Sequence, residues 1–327
     1  MGHFLLTGAA GFIASRVAEL LLDDGHTVVG VDNLNDAYDV RLKEYRLGRL
    51  KGRPGFVFYK LDISDRDAFN RQSEILSQPF EAVINLAARA GVRQAVTNPW
   101  VYVDTNMTGT LNLLDFCQRR GIRKFILAST SSVYGSDAPL PTPEDAPSDR
   151  PLQPYAASKK GAEALCHAYH HLYGIDVTVF RYFTVYGPAG RPDMSVFRFI
   201  QWMSEGRPIK LTGDGNQARG FTYVDDIARG TILGLRPLGY EIINLGGHEC
   251  VKMIELIHLM EEVIGREAQI EHLPFNPADM WANWANVEKA GRLLGWEPRV
   301  SLRAGVERSV DWYIAEREWA SKVVTEK

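Results

Sequence analysis

The stretch that decides the fold is TGAAGFIA, residues 7–14, which follows the apolar run HFLL and opens an amphipathic segment. Gly8 permits a tight turn, and Gly11 lets backbone amides approach a phosphate at the amino end of the following helix. Ala14 stands where a third glycine is common, and its small side chain still allows close packing of helix on strand. The stretch predicts the first strand, turn and helix of a dinucleotide-binding fold.

An acidic residue follows at the distance that this fold requires. Asp32 ends the run TVVGVD, about 20 residues beyond Gly11. Its carboxylate would accept hydrogen bonds from an adenosine ribose and would repel a 2′-phosphate, so the expected cofactor is NAD rather than NADP. Asp62 and Ile63 end a third run, where they would either face the adenine or form an ordinary strand-end cap.

Short β-rich runs alternate with amphipathic helices through the first half of the chain. The runs are FLLTG, TVVGVD, FVFYKLD, AVINLAA, KFILAST and VTVFRYF. This alternation predicts right-handed βαβ units in a parallel sheet with helices on both faces, which is a doubly wound α/β fold of the Rossmann type. EIINLGG, residues 241–247, is typical of one more core strand.

The pattern changes in the second half of the chain. A turn rich in proline and glycine leads to the helix SVFRFIQWMSEG and the strand PIKLTG, and the segment from Lys252 to Trp319 is predicted to be helical apart from AQIEHL. We expect residues 1–186, with 222–250 returning, to form the NAD-binding domain. Residues 187–221 and 251–327 would form a smaller, mostly helical domain for the substrate.

Composition argues against several classes of partner. A net charge of −3 gives no electrostatic reason to expect nucleic acid or an anionic membrane. Three widely spaced cysteines do not suggest a disulfide framework, and no apolar run is long enough to span a bilayer. HFLLTGAAGF lacks the regions of a signal peptide, so we expect a cytoplasmic protein. His167 and His171 share a helix face but have no obvious third ligand, so no metal site is expected.

Tyr155 and Lys159, in YAASK, are candidates for catalysis. Their i, i+4 spacing on a predicted helix puts both side chains on one face. A free tyrosine is too weak an acid to serve as a base at neutral pH, but a neighbouring ammonium and a positive nicotinamide ring would lower its pKa. Thr130, after KFILAS, would donate a hydrogen bond to the same substrate oxygen. A tyrosine and a lysine on a solvated helix face are the alternative.

The chain resembles the extended short-chain dehydrogenase/reductase family, and its NAD-dependent epimerase/dehydratase branch, along almost its whole length. The motifs that carry the resemblance are TGAAGFI, NLAA, ASTSSVYG, YAASK, RYFTVYGP and RGFTYVDD. The resemblance implies Tyr155 as the base, Lys159 as its electrostatic partner and ribose anchor, and Thr130 as the third member. It completes a predicted cofactor site of Gly8, Gly11, Phe12, Ile13, Asp32, Asn33, Asp62, Ile63, Leu86, Ala87, Ala88, Tyr155, Lys159 and Tyr182.

Within that family, DNLNDAYDVRLKEYRL, ARAGVR and RPDM are similar to the UDP-glucuronate 4-epimerases. The resemblance implies a UDP-sugar site formed by Arg93, Thr130, Ser131, Ser132, Tyr155, Thr184, Arg191, Arg219 and Asp279. We expect Arg191 to bind the sugar carboxylate, because a guanidinium does so bidentately and with fixed geometry. The alternatives for Arg191 are an exposed position or a contact with the nucleotide.

The implied reaction is reversible 4-epimerisation of UDP-glucuronate to UDP-galacturonate through a 4-keto sugar and transient NADH. Two alternatives on the same fold are a UDP-glucose 4-epimerase, against which Thr184 and RPDM count, and a UDP-glucuronate decarboxylase, against which the lack of an acidic residue in ASTSSVYG counts. A non-catalytic NAD-sensing protein would belong to another class. The resemblance also implies a homodimer, in which residues 107–120 and the helix that contains CHAYHH form a four-helix interface.

Overall fold

A computed structural model describes residues 1–72, 75, 77–247, 249–275 and 280–326, without the side chains of 68–70. In chain order the strands are β1 (His3–Thr7), β2 (Thr27–Asp32), β3 (Phe56–Lys60), β4 (Ala82–Asn85), β5 (Lys124–Thr130), β6 (Asp176–Tyr182), β7 (Thr184–Tyr186), β8 (Ile209–Thr212), β9 (Ala218–Tyr223), β10 (Tyr240–Leu245), β11 (Cys250–Lys252), β12 (Ile270–Leu273) and β13 (Ala282–Asn283).

The helices are α1 (Phe12–Asp23), α2 (Val40–Leu50), α3 (Arg66–Arg71), α4 (Gln94–Thr97), α5 (Trp100–Tyr102), α6 (Gly109–Arg120), α7 (Pro154–Tyr173), α8 (Ser195–Ser204), α9 (Val224–Leu233), α10 (Met253–Ile264), α11 (Glu288–Leu294), α12 (Leu302–Ala315) and α13 (Arg317–Ala320). A π-helical turn, Val103–Thr108, joins α5 to α6 without a break. Within the described ranges, no helix combines the length and the apolar character needed to cross a bilayer.

The main sheet has seven parallel strands in the order β10-β6-β5-β4-β1-β2-β3. The predicted doubly wound α/β fold is therefore confirmed. The chain moves outward from β1 in one direction through β2 and β3, and in the other through β4, β5 and β6. Ligands of such sheets bind outside the carboxyl ends of the strands where this direction reverses, which is here between β1 and β4.

Both faces of this sheet are buried, which explains why its strands are apolar at nearly every position. Alternate residues of β1 point to opposite sides, so that Leu6 packs with α1 and α9 in one core cluster and Leu5 packs with α6 and α7 in another. Phe125 and Ile126 of β5 are divided between the two clusters in the same way. The sheet is a rigid platform whose carboxyl edge holds the loops described below.

The remaining strands form two small sheets. β9 pairs with β7 and β13 in parallel and with β11 antiparallel, and β8 pairs with β12. Residues of α8, α10 and α12 pack with these strands in a third core cluster. The proposed division into two domains stays a prediction.

Two details of the strand predictions need correction. EIINLGG supplies β10, but β10 lies at the edge of the main sheet, and its first residues are only half-buried. The segment from Lys252 to Trp319 contains β13 as well as the predicted strand at β12. β13 is only two residues long and exists because it pairs with β9, which is a tertiary contact that local sequence cannot show.

Candidate active site

A cavity of about 700 Å³ opens at the carboxyl ends of the main strands. Every predicted site residue within the described ranges lines it, from Gly8 at one end to Arg219 at the other. Asp279 falls in 276–279, outside the described residues. The cavity joins the predicted cofactor site to the predicted sugar-nucleotide site.

The turn between β1 and α1 is built from backbone geometry. Gly8 has φ +72°, and a Cβ atom there would lie 2.8 Å from the backbone nitrogen of Ala87, so only glycine fits without displacing the loop after β4. Gly11 donates a hydrogen bond from its amide to the carbonyl of Gly8 at 2.7 Å. It is the N-cap residue of α1, and no side chain of the described residues caps this helix end. The first amides of α1 therefore face the cavity beside Phe12 and Ile13, where an anionic pyrophosphate would fit.

Asp32 is held at the end of β2 by two backbone amides. Its carboxylate accepts hydrogen bonds from Ala10 at 3.2 Å and Leu34 at 2.8 Å, and it still lines the cavity. The ammonium of Lys43 lies 3.9 Å from the same carboxylate. Burial lowers the pKa of Lys43, and the charge of Asp32 opposes that shift. A fixed carboxylate at this point suits a ribose diol, as the sequence predicts.

The two alternatives for Asp62 both have a structural basis. Its carboxylate accepts hydrogen bonds from the amide and hydroxyl of Ser64, which is a strand-end cap, and from the side-chain amide of Asn33. Burial alone would raise the pKa of Asp62, but these hydrogen bonds hold it below its usual value. Asp62, Ile63 and Asn33 also line the cavity, so the cap does not preclude contact with a ligand.

Tyr155 and Lys159 lie on the first turns of α7. Gln153 caps this helix by accepting a hydrogen bond from the amide of Ala156, and Pro154 occupies its first position. Lys159 is 3% exposed, and its ammonium donates to the carbonyl of Ala128 on β5 at 2.7 Å. Burial lowers the pKa of Lys159 to about 8. The ammonium is thus fixed at the edge of the sheet and can lose its proton close to neutral pH.

The protein groups around Tyr155 raise its pKa above the usual value, whereas the sequence predicts that Lys159 and a bound nicotinamide ring together lower it. Burial raises it, while a hydrogen bond with Thr130 and the charge of Arg191 act against the rise. The sequence argument counted positive neighbours but could not include the cost of burying a phenolate. A Cβ atom at Gly91 would lie 3.6 Å from the hydroxyl of Tyr102 and 3.9 Å from Nη2 of Arg191, and the Tyr102 ring packs edge-on against that of Tyr155 at 6.0 Å. Arg191 therefore lies at the Tyr155 end of the cavity.

Arg191 forms an ion pair with a residue of its own loop. Its Nε donates to Asp193 at 3.0 Å, and Nη2 donates to the second carboxylate oxygen. Burial alone would raise the pKa of Asp193, but the charge of Arg191 holds it below its usual value. The Arg191 side chain is 25% exposed, and both residues line the cavity. Asp193 therefore fixes the direction of the guanidinium.

Polar side chains from separate segments surround the same end. Thr130 begins a 3₁₀ turn, where its hydroxyl accepts the amide of Ser132 at 3.2 Å. Ser131 is buried and accepts a hydrogen bond from Asn283 of β13 at 2.8 Å. Thr184, in β7, lines the cavity beside them. These hydroxyls are the predicted partners of a sugar carboxylate, and the fold does bring them together.

The far end of the cavity contains two of the predicted arginines. Arg219 donates to the carbonyls of Ala218 at 2.8 Å and Trp281 at 3.1 Å, and Arg93 lies 3.4 Å from the hydroxyl of Thr212. Gly220 has no room for a side chain, because a Cβ atom there would lie 2.7 Å from that of Trp284. The backbone of β9 therefore packs closely against Trp284 beside Arg219.

Sequence reasoning missed several lining residues, which are Tyr38, Lys43, Asp193, Lys210, Thr325 and Glu326. The first three lie inside motifs that carry the family resemblance and could have been found there. Glu326 pairs with Lys210 at 3.0 Å, and the preceding Val323 is buried against α2 and α8. No local signal marks 325–326 as part of a site, because only the tertiary path of the chain brings this segment to β8.

A glycine turn at the head of α1, an aspartate at the end of β2, and a tyrosine beside a buried lysine at the start of α7 define a short-chain dehydrogenase/reductase. Comparison with known families narrows the class. The model of the NAD dependent epimerase/dehydratase family matches residues 4–246, and the chain belongs to that family.

Individual relatives cover nearly the whole chain. A UDP-glucuronate 4-epimerase of Thermodesulfobacterium geofontis is 57% identical over 313 residues, which are 95% of this chain and 96% of the relative. The crystal structure of the Bacillus cereus UDP-glucuronic acid 4-epimerase with UDP-glucuronic acid and NAD is 36% identical, with a TM-score of 0.89 over 96% of this chain and 99% of that one. A UDP-glucose 4-epimerase of Thermotoga maritima, solved with UDP-glucose, is 32% identical, with a TM-score of 0.89 over the same shares.

Proposed function

We propose that the protein interconverts UDP-glucuronate and UDP-galacturonate with tightly held NAD. One observation carries the proposal: the guanidinium of Arg191, aimed by Asp193, lies at the end of the cavity where Tyr155 and Thr130 meet. A cation so placed suits a sugar that carries a carboxylate next to the reacting carbon. Of the relatives named above, the two UDP-glucuronate epimerases, at 57% and 36% identity, are more similar in sequence to this chain than the UDP-glucose epimerase at 32%, which supports a uronate over a neutral hexose.

In the proposed reaction, Tyr155 accepts the proton of the sugar 4-hydroxyl, and Thr130 donates a hydrogen bond to the same oxygen. NAD held by residues such as Gly8, Gly11 and Asp32 would supply the acceptor for the C4 hydride and the donor of that hydride to the opposite face of the rotated keto sugar. Tyr155 then gives its proton back to the oxygen. The buried ammonium of Lys159 anchors the ribose and favours the phenolate.

The carboxylate of the 4-keto sugar must be retained. A β-keto acid loses CO₂ readily when the breaking C–C bond stands perpendicular to the carbonyl plane. Hydrogen bonds from Ser131, Ser132 and Thr184 would hold the carboxylate away from that geometry and keep it solvated by polar groups, while the single hydroxyl proton of Thr130 serves the 4-oxygen. Because Asp193 takes the Nε and Nη2 protons of Arg191, the uronate would be bound through Nη1 and the second proton of Nη2.

Incubation of the purified protein with UDP-glucuronate, followed by proton NMR of the sugar, tests the proposal. UDP-galacturonate without UDP-pentose is the expected result. Turnover of UDP-glucose with UDP-glucuronate left unchanged would overturn it in favour of the neutral-hexose epimerase. UDP-pentose with CO₂ would indicate a decarboxylase, and bound NAD without turnover of any UDP-sugar would indicate a sensor.

The assembly in this proposal is a homodimer joined through α6 and α7. Its support is a set of exposed apolar side chains on these helices and on the segment that leads into α6: Leu111 is 37% exposed on α6, Leu172 65% on α7, and Trp100 75% and Val103 39% before α6. Light scattering should give the mass of a dimer, and Leu111→Glu with Leu172→Glu should give that of a monomer. A wild-type monomer at micromolar concentration would contradict this assignment.

We also propose that the chain forms two domains and that the protein is cytoplasmic. Residues 1–186 and 222–250 bind NAD, and 187–221 with 251–327 bind the UDP-sugar. The main sheet draws its strands from the first set, while most of the third core cluster comes from the second. The three cysteines are unpaired, which is consistent with a reducing cytoplasm.

A further inference from the structure

A buried glutamate continues the catalytic face of α7. Tyr155, Lys159 and Glu163 are spaced i, i+4, i+8 on this helix, so their side chains follow one another along one face. Lys159 donates to the carbonyl of Ala128, and Glu163 accepts a hydrogen bond from the hydroxyl of Ser129 at 2.5 Å. Two consecutive residues of β5 are thus fastened to two consecutive turns of α7.

Arg181 holds Glu163 from the neighbouring strand. It stands opposite Ser129 in the register of β5 and β6, and donates to the two carboxylate oxygens at 3.0 and 2.8 Å. Both side chains of this pair are at most 2% exposed. Lys160 adds a contact of 3.3 Å from the surface side. Burial alone would raise the pKa of Glu163, but the charge and hydrogen bonds of Arg181 hold it below its usual value.

We propose that Glu163 is a positioning residue whose buried negative charge keeps the Lys159 ammonium protonated against the carbonyl of Ala128 and so sets the alkaline limit of activity. The inference rests on the proposed function, because the ammonium matters through Tyr155 and the bound cofactor. The carboxylate of Glu163 itself would contact neither the substrate nor the cofactor.

The charges around Lys159 support this assignment. Several titratable groups lie around Lys159 and Glu163, on α7 itself and on the elements that pack against it. They are Tyr155 and Cys166 on α7, Cys117 on α6, Tyr102 on α5, Tyr134 on the 3₁₀ turn, Arg181 on β6 and Tyr240 on β10. Burial raises the pKa of both cysteines and of the tyrosines, so these groups are neutral at neutral pH. Glu144 is a second carboxylate near Tyr134 and Arg181, and it accepts a hydrogen bond from the amide of Asn244. Glu163 is the carboxylate that acts on Lys159, where it opposes the fall in pKa that burial causes.

The direction of the effect follows from the sign of the charge. With Glu163→Gln, the buried Arg181 loses its counter-charge and Lys159 loses its nearest anion, so the pKa of Lys159 falls further below about 8. Lys159 would then become neutral at a lower pH. The loss of an adjacent charge shifts a pKa by about 1–3 units, so the alkaline limb of kcat/KM should move down by at least about one pH unit.

The test compares the holoenzyme with Glu163→Gln and with Lys160→Gln as the matched control. Lys160 contacts the same carboxylate but its side chain is 35% exposed, and its removal leaves the buried anion in place. We expect the alkaline limb to move in Glu163→Gln and to stay in Lys160→Gln, with rates on the acid side of the profile near those of the wild type. A uniformly lower rate with an unmoved limb in Glu163→Gln would reduce Glu163 to a structural residue and overturn the proposal.

Two further arms keep the test decisive. If Glu163→Gln does not fold, Glu163→Asp retains the charge and should keep the wild-type limb; a limb that moves down in this variant also overturns the proposal. The amount of NAD that stays bound is measured as the pH is raised, on the protein without sugar. Glu163→Gln should release NAD at a lower pH than Lys160→Gln. That arm needs no epimerase activity, so a failure of the proposed function and a failure of this inference can be told apart.

Discussion

The two ends of the cavity are built in different ways. The cofactor end depends on backbone geometry, because two amides from the first 34 residues hold Asp32 and Gly8 fits against Ala87 in the loop after β4. The sugar end depends on side chains from four distant segments, such as Ser131 bound by Asn283 and Arg191 directed by Asp193. A site made of local backbone is defined by a short motif, whereas a site made of distant side chains exists only after the sheets have packed.

The largest expected effect lies at the catalytic group between the two ends. Tyr155→Phe removes the phenolic oxygen and with it the general base, which contributes about 10²–10⁴-fold to such reactions. We expect turnover of UDP-glucuronate to fall by at least that factor, while NAD released by denaturation stays at the wild-type amount. Activity near the wild-type rate would remove Tyr155 from its role.

A pair of glycine variants tests the cofactor end. Gly8→Ala should lose bound NAD and lower the melting temperature, because a Cβ atom there meets the backbone of Ala87 as well as adopting φ +72°. Gly25→Ala is the control, since Gly25 has φ +78° with open space around it and should cost only the roughly 1–2 kcal/mol of the left-handed conformation. Equal losses in the two variants would mean that strain alone, rather than contact with the loop after β4, accounts for Gly8.

Asp32→Asn tests the choice of cofactor. The variant keeps an acceptor for only one of the two amides, of Ala10 or Leu34, but it removes the charge that repels a 2′-phosphate and leaves the ammonium of Lys43 nearby. We expect NAD to bind about tenfold more weakly and NADP more tightly than in the wild type, since one charge-assisted hydrogen bond contributes about 1.5–3 kcal/mol. Titration of the apoprotein with each dinucleotide measures both. An unchanged preference for NAD would contradict the assignment.

Asp193→Asn gives the smallest expected effect and concerns the sugar end alone. Without the anion, Arg191 loses its fixed direction, and ordering a long side chain again costs about 1–2 kcal/mol. The KM for UDP-glucuronate should rise by up to about tenfold, with NAD content unchanged. A KM that does not change would show that the uronate itself, rather than Asp193, orients Arg191.

The same contrast explains how much of the molecule could be predicted from the sequence. The alternation of strands and helices and the turn at Gly8 follow from periodicity and one glycine motif, because they depend on neighbours along the chain. The raised pKa of Tyr155 could not be predicted, since burial is a property of the packed structure. The presence of Glu326 at the cavity follows from the path of 321–326 over α2 and α8, which no motif marks.

The most direct measurement is the ratio of kcat/KM for UDP-glucuronate to that for UDP-glucose, in the wild type and in Arg191→Met. The wild type should prefer the acidic sugar, and the variant should lose at least about a hundredfold of that preference, because a buried charge pair broken on one side costs about 3–5 kcal/mol. Its activity on UDP-glucose should change little. A wild type that prefers UDP-glucose, or a ratio that Arg191→Met leaves unchanged, would contradict the account.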